Sequence, residues 1–208
     1  MIEFNTLKSY FLFFLSLVIM GLGISLVTLA HLGTTPITSP PYVLSLFLPV
    51  SFGMLTMVLN FLFVLIQVIL LRQEFPKIQY LQLLVGPILG ISIDLWSALV
   101  TLVAQLSYLI QLNMVIVGSV IIALSTVLQL KAQVVNNPAE GIVKAIAIKS
   151  SKEFGTVKFY FDIILVLLAA VISFIALGTI QGIREGTIIS VLIIGPLIKM
   201  FQKRATNK

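Results

Sequence analysis

Six stretches of about twenty mostly apolar residues, separated by short polar segments, constrain this chain more than anything else in it. They cover residues 10–30, 53–71, 78 to about 102, 113–130, 157–177 and 187–201. A helix needs about 20 apolar residues to cross roughly 30 Å of hydrocarbon. Backbone groups in lipid must bond within the protein, so each stretch is predicted to be helical. No alternation of polar and apolar residues supports a barrel. Hydrophobic residues make up 59% of the chain and charged residues 10%, where a soluble domain carries about 25% charge. Such a chain cannot cover itself with polar surface. A cytosolic enzyme, a nucleic-acid binder and a disordered regulator are therefore excluded, and the lipid bilayer is the expected surrounding. The expectation is an all-α polytopic membrane protein forming one membrane domain over residues 1–208.

The charges set an orientation. Cytoplasmic loops are enriched in Lys and Arg. With a cytoplasmic N-terminus, the inside segments hold Lys8, Arg72, Lys77, Lys131, Lys144, Lys149, Lys152, Lys203, Arg204 and Lys208. The outside segments hold only Arg184. Lys158 and Lys199 lie near inside helix ends, where long cationic side chains snorkel. Both termini are thus expected inside, in a cell (inner) membrane. The first stretch is too long for a signal-peptide core and is read as a retained span. Residues 95–112 admit two readings, an extension of the third helix or a segment along the outer interface, where Trp96 and Tyr108 would be at home.

The chain also matches itself at an offset of 102. Ala30 corresponds to Ala132, Pro36 to Pro138, Phe52–Gly53 to Phe154–Gly155, and Asn60 to Asp162. After seven inserted residues, Gly86–Pro87 corresponds to Gly195–Pro196. Three spans per half is an odd number, so the halves, residues 10–102 and 113–203, enter the membrane from opposite sides. Such inverted repeats are a transporter arrangement, with sites near the midplane between the repeats. The loop after the first span carries four prolines and reads as a broken or re-entrant segment. The loop containing Pro138 becomes amphipathic and reads as a short helix on the cytoplasmic surface, attracted to anionic lipid.

Candidate binding residues follow from these features: Thr34, Thr35 and Pro36 in the first loop, Asn137 and Pro138 in the second, and Asn60 with Asp162 as a polar pair of repeat mates. An ionisable residue inside a span is a functional candidate, although Lys158, four residues before Asp162, is placed to pair with it. Gln67 lies one heptad beyond Asn60 and extends a polar stripe on that helix. Asp94 falls at a membrane edge if the repeat holds, since its mate is Lys203. His31 and the adjacent Arg184 and Glu185 read as interfacial and solvated. Gly86 and Gly90, and the small residues Ser16, Gly21, Gly23 and Ser25, mark close helix packing.

The run Gly21-Leu22-Gly23, then Ala30-His31-Leu32-Gly33-Thr34-Thr35-Pro36, resembles the signature of the YczE/YyaS/YitT-type bacterial integral membrane proteins. Phe52–Gly53, Asn60, Gly186-Thr187 and Gly195–Pro196-Leu197 resemble it too. After the proline this chain carries Ile37-Thr38, where the pattern has an acidic residue or Trp. The resemblance implies a bacterial inner-membrane location and brings no catalytic residues.

No phosphate loop, zinc pattern or nucleophile elbow is present, and no Cys at all. No cofactor, metal or enzymatic activity is expected. The leading expectation is a permease for a small molecule or ion. The others are a substrate-binding subunit with an ATPase partner, and a non-transporting scaffold; a homo-oligomer is a further expected partnership.

Overall fold

The computed structural model describes residues 6–100 and 107–206. The described residues form eight α-helices and no strands: α1 (Thr6–Leu29), α2 (Ser39–Ser45), α3 (Phe52–Leu71), α4 (Gln82–Val100), α5 (Tyr108–Ala132), α6 (Pro138–Ser150), α7 (Phe154–Leu177) and α8 (Glu185–Thr206). Helices α1, α3, α4, α5, α7 and α8 are long and apolar enough to cross a bilayer, and each coincides with one stretch read from the sequence. Residues 101–106, inside the ambiguous 95–112 region, lie outside the described residues. Up to Val100 that region extends α4, and Trp96 Nε1 donates to the Val18 carbonyl at 3.0 Å.

Local signals set the helix ends. Ser51 caps α3 by accepting from Met54 N. Asn137 caps α6 through Oδ1, which accepts from Ala139 N at 3.1 Å, and Pro138 occupies the first turn, where no amide donor is needed. The chain leaves α1 through His31 at φ 56° and α5 through Gln133 at φ 52°, both left-handed. These residues stand 102 positions apart.

Helix α1 runs through the middle. Phe13 and Leu17 at its start cluster with Ala132 at the end of α5. Gly23 faces Gly118, close enough that a Cβ on Gly23 would sit 2.9 Å from the Gly118 carbonyl oxygen. Ala30 and Leu32 cluster with Val115. The two helices are therefore antiparallel. Helix α4 packs on α1, with Ser25 Oγ donating to the Ile93 carbonyl at 3.0 Å. Helix α8 packs on α5 through Ser119 and Ser190.

The short helices α2 and α6 each pack against both α3 and α7, but at opposite ends. Tyr42 of α2 meets Phe52 at the start of α3. Ala145 of α6 clusters with Val64 and Leu71 towards the end of α3, and Val143 and Ala147 cluster with Val157 near the start of α7. The expectation of α6 as a surface helix is corrected here. Pro138, Ala139, Gly141, Ile142, Val143, Ala145 and Ala147 are buried. The small residues let its backbone pack so closely on α3 that a Cβ on Gly141 would strike the Gln67 side chain. Only Lys144 and the end from Ile148 onward are exposed.

The halves differ in one respect. Helices α3 and α4 touch backbone to backbone, and a Cβ on Gly53 would fall 2.0 Å from the Gly90 carbonyl oxygen. Helices α7 and α8 do not pack along each other in this way. Gly155 and Gly195 have no neighbouring atom within 4 Å of where a Cβ would stand.

Candidate functional site

A cavity of about 280 Å³ lies where α1, α3, α4, α5, α6, α7 and α8 converge. Thr35 to Thr38 reach it from one end of the bundle, and Asn137, Ala139 and Glu140 from the other. Its walls are mostly apolar, including Met20, Ile24, Phe63, Leu89 and Ile122. Of the residues expected from the sequence, Thr35, Pro36, Asn60, Asn137 and Asp162 line it. Thr34 and Pro138 do not. Thr34 is wholly buried, its hydroxyl linked to those of Thr28 and Thr38 and its amide donating to Thr187 Oγ1 at 3.2 Å. Pro138 is buried, and its carbonyl accepts from Gln67 Nε2 at 3.2 Å. These two hold the loops in shape and leave the cavity wall to their neighbours.

Asn60 is 5% exposed. Its Nδ2 donates to the Thr56 carbonyl at 2.9 Å, and its Oδ1 makes no hydrogen bond among the described residues. Asp162 is ion-paired with Lys158 one turn earlier on α7, so the two enter the cavity wall together. Gln67 shares the buried face of α3 with Asn60 but does not line the cavity. It exchanges hydrogen bonds with Gln82 at 3.1 and 3.2 Å and so braces α3 against α4 and the α6 entrance. An amide only 2% exposed must find partners, and α3 alone offers too few.

The sequence reading missed Glu140, Thr56, Thr126 and Ser190 as wall residues. Glu140 sits three residues after the α6 cap, a position where an acidic residue suits the helix dipole, and that ordinary role hid it. Its side chain is largely buried. Burial raises its carboxyl pKa above the usual glutamate range, and the nearby Lys158 ammonium draws it part of the way back. The carboxylate makes no hydrogen bond or ion pair among the described residues. Glu140 and Asn137 also border a second, polar cavity of about 290 Å³, lined by Gln79, Gln129, Gln133 and Asn136.

Other singled-out groups have structural work. Asp94 accepts from Ser51 Oγ at 2.6 Å and from Gly53 N at 2.7 Å, capping α3 from α4. Arg184 pairs with Glu185 and donates to the His31 carbonyl at 3.1 Å. No cluster of His, Asp and Glu among the described residues has the makings of a metal site.

Six spanning helices around an internal cavity define a multi-pass integral membrane protein. Within that class the chain belongs to a family of unknown function, DUF6198, which it matches over residues 7–203. That match gives no support for the YczE/YyaS/YitT-type resemblance of the Ala30–Pro36 run. No curated protein and no solved structure matches the chain.

Proposed function

We propose that the protein is a permease for a small molecule or ion, without enzymatic activity, working in a bacterial inner membrane with both termini in the cytoplasm. Its two triplets act as inverted repeats around the central cavity. The observation that carries this reading is the convergence of Thr35–Pro36, from one end, and Asn137, from the other, on the space lined by the repeat mates Asn60 and Asp162. Packing supports the repeat. Exchanging halves maps α1 with α4 onto α5 with α8, α2 with α3 onto α6 with α7, and α3 with α6 onto α7 with α2. The antiparallel α1 and α5 exchange with each other. An unfilled centre also weighs against a scaffold, since a helix bundle without cargo gains by filling its core.

The test compares untargeted metabolite pools, inside and outside cells, for a knockout strain and strains expressing the wild type, Asn60→Leu or Asp162→Asn. Both variants are expected to reach wild-type membrane levels and to leave the knockout's metabolite difference uncorrected. Full correction by both variants rules out this site.

A further inference from the structure

The geometry points to a more specific cargo: a lipophilic organic cation that loads sideways from the bilayer between α7 and α8 and places its positive charge on Glu140. This rests on the permease reading and adds the substrate class and route. Three observations carry it. First, the cavity wall is apolar over most of its extent, and its ionisable groups, Glu140, Lys158 and Asp162, come from two neighbouring helices, α6 and α7. An apolar body with one polar end fits such a division. Second, the charges do not balance. Lys158 is ion-paired with Asp162 and reaches Glu140 only through space, so one ammonium serves two carboxyls and Glu140 has no hydrogen-bonding or ion-pairing partner among the described residues. A largely buried carboxylate facing a cavity gains most from a ligand that brings a cation. Third, the cavity is open at the side. Val191 and Gly195 line it while also being exposed, Val191 to 47%. At that depth the surroundings are hydrocarbon, so the opening admits what dissolves in lipid. The first half offers no such opening, because Gly53 and Gly90 seal α3 against α4.

The experiment uses purified full-length protein in a non-ionic maltoside detergent, with tetraphenylphosphonium as the probe and tetraphenylborate as its counterpart. The two ions are nearly alike in size and apolar surface and opposite in charge. Equilibrium dialysis against protein-free micelles measures binding. Saturable binding of tetraphenylphosphonium, at least tenfold weaker in Glu140→Gln, is expected, with no saturable binding of tetraphenylborate. Lys158→Gln removes the competing ammonium and is expected to tighten the cation several-fold, which keeps the test decisive if Glu140→Gln folds poorly. Gly195→Phe is expected to slow association several-fold with Glu140 intact. Equal binding of the two ions, or unaltered cation binding in Glu140→Gln, overturns the cation assignment. Unaltered association in Gly195→Phe overturns the lateral route. Added phosphatidylethanolamine separates two sources of the same chemistry: competition identifies a lipid ammonium as the cargo, and its absence identifies a free amphiphile, each upholding the cation site. Failure here, with Asn60→Leu still unable to correct the metabolite difference, removes the cation and leaves the permease.

Discussion

Glu140 shows how burial of one ionisable side chain can oppose stability. Its carboxyl titrates above the usual glutamate range because burial outweighs the pull of Lys158. The titratable groups facing it are Lys158 and Asp162 on α7, and α3, packed on its other side, carries none. A carboxyl with a raised folded-state pKa binds its proton more tightly folded than unfolded. Its favourable contribution is complete below the ordinary unfolded value of about 4.3. It is lost as pH rises through the interval up to the raised value. Thermal midpoints in detergent between pH 4 and 8 are therefore expected to fall less with rising pH for Glu140→Gln than for the wild type. A steeper fall in the variant would contradict the assignment. Asp94 is the contrasting case. Its two oxygens satisfy Ser51 and the Gly53 amide at the start of α3, so Asp94→Ala is expected to cost about 1–2 kcal/mol, read as a lower thermal midpoint with the cavity variants' phenotypes absent.

Among the helices, the two halves can be tested against each other. A Cβ at Gly53 collides with the Gly90 carbonyl, an atom that cannot swing away. Gly53→Ala must push α3 from α4 and is expected to destabilise by about 1–3 kcal/mol or more. Gly195→Ala meets nothing within 4 Å and removes a helix-interior glycine, so it is expected to be neutral or to stabilise by up to about 1 kcal/mol. Comparable losses of thermal midpoint in both variants would mean that α7 and α8 close as tightly as α3 and α4. Helix-level features were also the most legible in the sequence. Apolar length alone placed the six spans. The stretches 30–36 and 186–187, far apart in the chain and both part of the family resemblance, meet in space: Gly186 N donates to the Leu32 carbonyl at 2.7 Å, and Gly33 packs on Thr187. What stayed illegible depends on facing partners. Glu140 looks like a helix-end charge until α7 is set beside it. Gln67 looks like a continuation of Asn60 until Gln82 and the Pro138 carbonyl are brought to it. The burial of α6 follows from the small residues it presents to α3, which an amphipathic pattern alone does not distinguish from a surface helix.

For the whole molecule, the proposed permease requires two triplets that face opposite ways, and the geometry offers a balanced test of this. His31 and Gln133 stand 102 positions apart, both exposed, both left-handed and both within two residues of the end of a spanning helix. A cysteine at either position meets the same backbone strain and similar access, and the chain contains no other cysteine. His31→Cys and Gln133→Cys can thus be labelled with a membrane-impermeant maleimide in intact cells and again after permeabilisation. His31→Cys is expected to react in intact cells, and Gln133→Cys only once the membrane is opened. This follows because α1 and α5 are antiparallel, so their ends emerge on opposite faces. The basic segments from Lys131 to Lys152 then lie on the cytoplasmic side. Labelling of both cysteines in intact cells would place the two proline loops on one face. It would leave the cavity in place but remove the alternation of two inverted halves by which a carrier exposes one site to each side in turn.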